Sequence, residues 1–315
     1  MESLTEIVAS VLANPGLAAK ARIGPVLEEP GTDWVSGPGD DGAVLDAGGT
    51  RVVACGEAIL PAFVAADPHG AGVAAVLTNV NDLAAMGAVP LGIVDTIAAN
   101  EPVARQVLAG MREACALWQV PLVGGHLTLH DGPPSLSAFG IGHAPAPLSV
   151  TRAAPGQTLV VAAALDGRMR PDFPFFPAFR ERGERCGGDV RLLARLAADG
   201  ICVAAKDVSM AGLVGSLAML LECGGWGATV DLDVLPAPDG VPLTRWLNCF
   251  PSFTFLLCVP AGREDECVAA FAERDLVAAP VGVLDDTGVL ALARGGAVEK
   301  VLHVGEIAIT GLPRP

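Results

Sequence analysis

Apolar residues recur every three to four positions in two long stretches, Val73, Val76, Leu77, Val80, Leu83 and Ala84 within 70–88 and Val107, Leu108, Met111 and Cys115 within 104–118. At 3.6 residues per turn each set shares one face, which predicts two core helices. Ile7, Val8, Val11 and Leu12 repeat the pattern and predict a helix over 5–13. Around them lie alternating or short apolar runs at 51–55, 91–97, 121–123 and 135–142 that read as strands, the third leading into Gly124, Gly125 and His126. The Gly-, Pro- and Asp-rich stretch 31–42 reads as a loop.

Pro145, Pro147 and Pro155 fall within about ten residues and mark a junction near 150, giving domains over 1–150 and 151–315. The second half alternates again: strands at 158–164, 201–205 and 253–259, and helices at 189–198, 211–222 and 263–274. Such alternation predicts an α/β fold with helices covering sheet faces.

Composition narrows the function. The 315 residues carry 35 Asp+Glu against 20 Lys+Arg, a net charge of −15 with three Lys, so a phosphate backbone finds no basic surface and nucleic-acid binding is excluded. No run approaches ~18 uninterrupted apolar residues and the N-terminus lacks a basic, then apolar, leader, which predicts a soluble cytoplasmic protein without a membrane partner. The eight cysteines are scattered without a C-x-x-C pair and read as small core residues. With 4% aromatic residues and no Tyr, the core rests on Ala, Val and Leu.

The candidate chemistry lies in carboxylates that interrupt apolar or Gly-rich context: Asp40 and Asp41, Glu57, Asp82 and Asp207. Converging carboxylates stay ionised on a hard cation and supply the oxygen ligands Mg²⁺ prefers. Asp40 and Asp41 read equally as turn residues capping the next segment of the chain. On a helix Thr78, Asn79 and Asp82 form one polar stripe. The pair Gly124-Gly125 at a strand end permits close approach of a phosphate or nucleotide, and His126 reads as a ligand donor, an acid/base group or a hydrogen-bonded loop residue. No G-x-x-x-x-G-K-[ST], G-x-S-x-G or H-E-x-x-H is present.

Four segments in order, Gly39-Asp40-Asp41-Gly42-Ala43-Val44-Leu45, Val80-Asn81-Asp82-Leu83-Ala84-Ala85-Met86-Gly87-Ala88, Gly124-Gly125-His126 and Lys206-Asp207-Val208-Ser209-Met210-Ala211-Gly212-Leu213, resemble the ATP-binding motifs of the aminoimidazole ribonucleotide (AIR) synthetase, or PurM-like, superfamily. The resemblance spans nearly the whole chain. It implies a two-domain α/β (α+β) fold, an N-terminal domain whose sheet pairs with that of a second subunit into a barrel, and a homodimer. It also implies ATP and Mg²⁺ as cofactors. Asp40 or Asp41, Asp82 and Asp207 would then bind Mg²⁺, joined by Glu57 where the superfamily commonly has Asp. Asn81, Gly124, Gly125, Thr128, Lys206 and Ser209 would lie at the nucleotide, with His126 and Asp207 in catalytic roles.

Departures from the superfamily narrow the member. The first Cys is Cys55, after the Asp40-Asp41 motif, unlike selenophosphate synthetases. Met210-Ala211 follow Ser209 where thiamine-monophosphate kinases have a second Asp, and the C-terminal Gly-Leu-Pro-Arg-Pro lacks the reactive Cys of the carbamoyl-dehydrating hydrogenase maturation factor. The expected activity is ATP-dependent phosphorylation of a small metabolite, activating an amide or carboxamide oxygen for cyclisation or dehydration. The alternatives are a small-molecule kinase of thiamine-monophosphate-kinase type and a nucleotide-binding, non-catalytic subunit of a partner enzyme. A substrate pocket is expected at Asp166–Arg170, His126 and 250–253. Arg168 and Arg170 are anion ligands or solvated loop residues, and Trp246, Phe250 and Phe253 are ring platforms or core.

Overall fold

A computed structural model describes residues 2–24 and 39–312, so the expected loop at 31–42 is seen from Gly39 onward and its earlier part lies outside the described residues. From the N-terminus come α1 (Leu4–Leu12), α2 (Pro15–Lys20), β1 (Ala43–Asp46), β2 (Arg51–Ile59), α3 (Pro61–Ala66), α4 (Pro68–Ala85), β3 (Val89–Ala99), α5 (Glu101–Trp118), β4 (Leu122–Leu129) and β5 (Ser135–His143). There follow β6 (Thr158–Ala163), β7 (Phe175–Phe176), α6 (Phe179–Arg182), α7 (Cys186–Val190), α8 (Leu192–Ala198), β8 (Ala204–Asp207), α9 (Gly212–Glu222) and β9 (Gly227–Asp231). Last come α10 (Leu243–Trp246), β10 (Phe250–Pro251), β11 (Thr254–Val259), α11 (Glu264–Ala272), β12 (Val277–Asp285), β13 (Val289–Arg294) and β14 (Ala297–His303).

These elements form two compact units, one of Asp41–Pro147 with Arg182–Arg195, the other of Met1–Asp40, Leu148–Glu181 and Leu196–Pro315. The first holds a five-stranded sheet in the order β1-β2-β5-β3-β4, antiparallel except for β3 beside β4. Helices α4 and α5 pack together against it. Their closeness rests on two glycines: a Cβ on Gly72 would stand 2.2 Å from the Val107 carbonyl oxygen, and one on Gly110 would stand 2.0 Å from that of His69. Side-chain oxygens of Asp67 and Asn100 cap the two helices by accepting from Gly70 and Val103 N–H.

The sequence pattern predicts one helix over 189–198. The structure has two short ones, and Arg191 donates to the carbonyls of Trp118 and Gln119, tying this segment to the C-terminus of α5. The buried pair Arg182–Asp189, 2.6 Å apart, fixes the same segment.

The other unit carries a seven-stranded sheet, β14-β13-β9-β12-β6-β11-β8, and a parallel pair β10-β7. Its inner strands β6 and β11 are buried at every position, which is why they read as uninterrupted apolar runs. Helix α1 packs on β13, β14 and α10, so the first helix of the chain belongs with this unit. The strands β12, β13 and β14 escape the sequence pattern; in β12 Pro280 and Gly282 flank a bulge and only two of its nine residues are buried. All eight cysteines are buried, as expected of small core residues. No helix among the described residues is long and apolar enough to cross a membrane.

Candidate functional site

In the five-stranded unit the chemistry gathers where α4 crosses β2. Asp82 lies in the last turn of α4, 8% exposed, where the helix's own carbonyl ends disfavour negative charge. An oxygen of Asp41 stands within 4.8 Å of one of Asp82. Cys55 lies among them: burial above all pushes its thiol far up, and the charge of Asp82, then those of Glu57 and Asp41, add to the rise against a hydrogen bond at the Gly140 backbone. Three carboxylates therefore share the surroundings of one neutral thiol. Two acids so close, one at a helix C-terminus, repel each other, and a hard divalent cation with oxygen ligands is the group that fits them.

The expected polar stripe divides. Asn79 accepts from the Cys55 thiol at 3.3 Å and donates to the carbonyls of Ala75 and Ala138, tying α4 to β5, while Thr78 bonds back to Ala74. Asp82 faces Asp41, with a carboxylate oxygen of each within 4.8 Å of the other. Asn81, next to it in α4, is buried.

Gly124, Gly125 and His126 follow a strand in the sequence reading, but here they lie within one, because β4 continues to Leu129. Register separates them. Asp95 pairs with Gly125 and Thr96 with His126, so Gly125 is on the face covered by α4 and α5, whereas Gly124, His126 and Thr128 are on the opposite face. His126 and Thr128 are exposed there, and the Asp41–Asp82 pair lies on the helix side. Gly125 has a local reason: its Cβ would stand 2.5 Å from Asp95 Oδ2. Nothing lies within 4 Å of a Cβ at Gly124, leaving its backbone open to approach.

In the seven-stranded unit Lys206 and Asp207 end β8, both buried at 5% exposure. Lys206 Nζ donates to the Gly39 carbonyl at 3.2 Å. Asp40 then accepts from Val150 N–H at 2.7 Å and from the Ser149 hydroxyl at 2.8 Å, capping the short helical turn Val150–Arg152. The two adjacent aspartates thus diverge, Asp40 as a cap and Asp41 toward Asp82. Ser209 N–H donates to the Ser216 hydroxyl across the turn that opens α9, where Gly212 has φ +69° and a Cβ would stand 2.2 Å from the Leu247 carbonyl.

Arg168 and Arg170 are exposed, Arg170 pairing with Asp172 at 3.0 Å. Trp246, Phe250 and Phe253 are buried; Trp246 packs edge-on against Phe176 and donates from its indole to Pro236. They are core. The sequence reading passed over Asp95, a lone acid in an apolar strand, and that interruption was its only signal.

Residues 39–144 match the model of the AIR synthase related protein N-terminal domain, and residues 181–294 that of its C-terminal domain. An uncharacterized Synechocystis protein is 33% identical over 276 residues, 87% of this chain and 86% of its own length. The chain belongs to the AIR synthase related family. A thiamine-monophosphate kinase of Rhodopirellula baltica is 33% identical over 64% of this chain and 66% of the kinase. The structure of T. maritima PurL complexed with AMPPCP superposes with a TM-score of 0.77 at 14% identity, covering 99% of this chain and 52% of PurL. This chain thus spans about half of PurL's length, and the likeness confirms the two-domain PurM-like α/β fold.

Proposed function

We propose that this AIR synthase related protein is an ATP- and Mg²⁺-dependent enzyme that phosphorylates an amide or carboxamide oxygen of a small metabolite, preparing it for cyclisation or dehydration. The observation that carries the reading is the Asp41–Asp82 carboxylate pair beside Glu57, within the segment matched by the N-terminal family model. In this reading Asp41, Asp82 and Glu57, with Asp207 as a further carboxylate, hold Mg²⁺. Bound there, Mg²⁺ screens the charge of the nucleotide phosphates. Asp40 keeps its loop in place through Ser149 and Val150, and Lys206 fixes Gly39 beside it. Asn81, Gly124, Gly125, Thr128 and Ser209 contribute to nucleotide binding, and His126 and Asp207 serve catalysis. The open sheet face, with Leu91 and Phe139 exposed on it, is where a second copy pairs to form the homodimer.

The amide oxygen attacks the γ-phosphorus and ADP leaves; a nucleophile or an elimination then expels inorganic phosphate. A poor leaving group becomes a good one, and the chain contributes mainly by positioning. A small-molecule kinase is the second reading, favoured by the identity with thiamine-monophosphate kinase. Following ATP by ³¹P NMR against a panel of amides and alcohols separates the two. Release of ADP with inorganic phosphate, dependent on an amide substrate, supports the first reading. A stable new phosphoester or phosphoanhydride supports the second, and ATP left intact by every substrate refutes both.

A further inference from the structure

On the helix-covered face of the five-stranded sheet one row runs Glu57, Ala138, Asp95, Gly125 across four strands. Strands lie about 4.8 Å apart, so Asp95 stands about 10 Å from Glu57 and is a separate acid. It is 7% exposed, and no hydrogen bond or ion pair reaches it among the described residues. Burial raises its carboxyl above the ordinary Asp range, with no cation opposing. Other buried acids are compensated: Asp189 by Arg182 at 2.6 Å, and Glu222 by Ile309 N–H, Thr310 N–H and the Thr310 hydroxyl. Asp95 has no such partner among the described residues, and its carboxyl opens into a groove where one from outside can reach it.

The surroundings define that partner. Asp95 opens into a groove of about 330 Å³ between α5 and the β4 edge, walled by Ile97, Leu108, Leu122, Val123 and Leu127. Its volume is near the small end for ligand pockets. It holds a single carboxylate, too few oxygens for Mg²⁺ or Ca²⁺, and its lining offers one ring, that of His126, where a cage for a quaternary ammonium needs several. Gly125 gives the carboxyl its room, since any Cβ there would displace it.

We infer that this groove binds the primary ammonium group of a small aliphatic amine, the charged head on Asp95 and the alkyl chain along the leucines. Gly124, Gly125 and His126 also line this groove, so the inference rests on the proposed function in naming a ligand class for that same strand, and a titration without nucleotide or Mg²⁺ tests it apart from ATP binding.

The test is an NMR titration of the full chain, without nucleotide or Mg²⁺, using n-butylammonium as probe and n-butanol and butyrate as controls. Saturable binding of butylammonium, at least tenfold tighter than that of butanol and without competition from butyrate, is expected. Asp95→Asn, nearly isosteric, should weaken it at least tenfold, and Gly125→Ala should weaken it by moving the carboxyl. Absence of saturation, equal binding of butanol, or undiminished affinity in Asp95→Asn would overturn the inference. The comparison of butylammonium with butanol needs only the wild-type protein, so it decides the matter even if a variant fails to fold.

Discussion

The central strands of the seven-stranded sheet and the edge strand of the five-stranded sheet represent two ways of using a β-strand. β6 and β11 are buried at all positions and hydrogen-bonded on both sides, whereas β4 is exposed along nearly its whole length and, among the described residues, pairs with β3 at the sheet edge. The first kind contributes stability. The second leaves backbone and side chains available, and it carries the glycine pair, His126 and the wall of the Asp95 groove. Candidate ligand-binding groups in this unit therefore gather around structure that is not packed to its limit.

The sharpest way to break that contrast is to truncate a leucine in each place. Leu257→Ala, in the fully buried β11, should lower stability by about 2–5 kcal/mol in chemical denaturation. Next in size, Gly110→Ala should cost roughly 1–3 kcal/mol, because α4 and α5 must separate to admit the methyl group. Leu129→Ala on β4 should change the denaturation midpoint within about 0.5 kcal/mol when the protein is dilute, and a larger cost that grows with protein concentration would place β4 in a dimer contact.

Asp95 sharpens the comparison from the electrostatic side. Its carboxyl titrates above the ordinary Asp range in the folded protein, so the folded form holds the proton to higher pH than the unfolded chain. The stability it contributes is present below the ordinary range and lost as pH rises through the raised value. The charge of Asp95 also reaches Cys115, whose thiol is pushed up to about 11 by burial first and Asp95 second, and so stays neutral. Asp95→Asn should accordingly melt higher than wild type at pH 7, with the difference vanishing near pH 3. An equal melting temperature at both pH values would mean that the carboxyl is solvated or paired.

Periodicity revealed α4, α5 and α9, whose apolar positions repeat cleanly, and the buried runs β6 and β11. It missed β12 to β14, of which β12 has a bulge between Pro280 and Gly282 and only two buried residues, and it ended the strand before Gly124 because two glycines look like a turn when the partner strand β3 is not in view. The carboxylates of the site were legible as interruptions of apolar context. Their division of labour was not, since adjacent Asp40 and Asp41 are distinguished only by Ser149 and Val150, more than a hundred residues away in sequence. Asn79 likewise owes its role to Cys55 and Ala138, contacts that exist only after folding.

The central claim is that Asp41 and Asp82 hold the metal that brings in ATP. The direct measurement is a thermal-shift titration with ATP, with and without Mg²⁺, on wild type, Asp41→Asn and Asp82→Asn. ATP at about 100 times its Kd adds roughly 2.7 kcal/mol, which a melt resolves. The account predicts a shift in wild type that requires Mg²⁺ and disappears in both variants. A shift of equal size without Mg²⁺, or one that survives in Asp82→Asn, would contradict it.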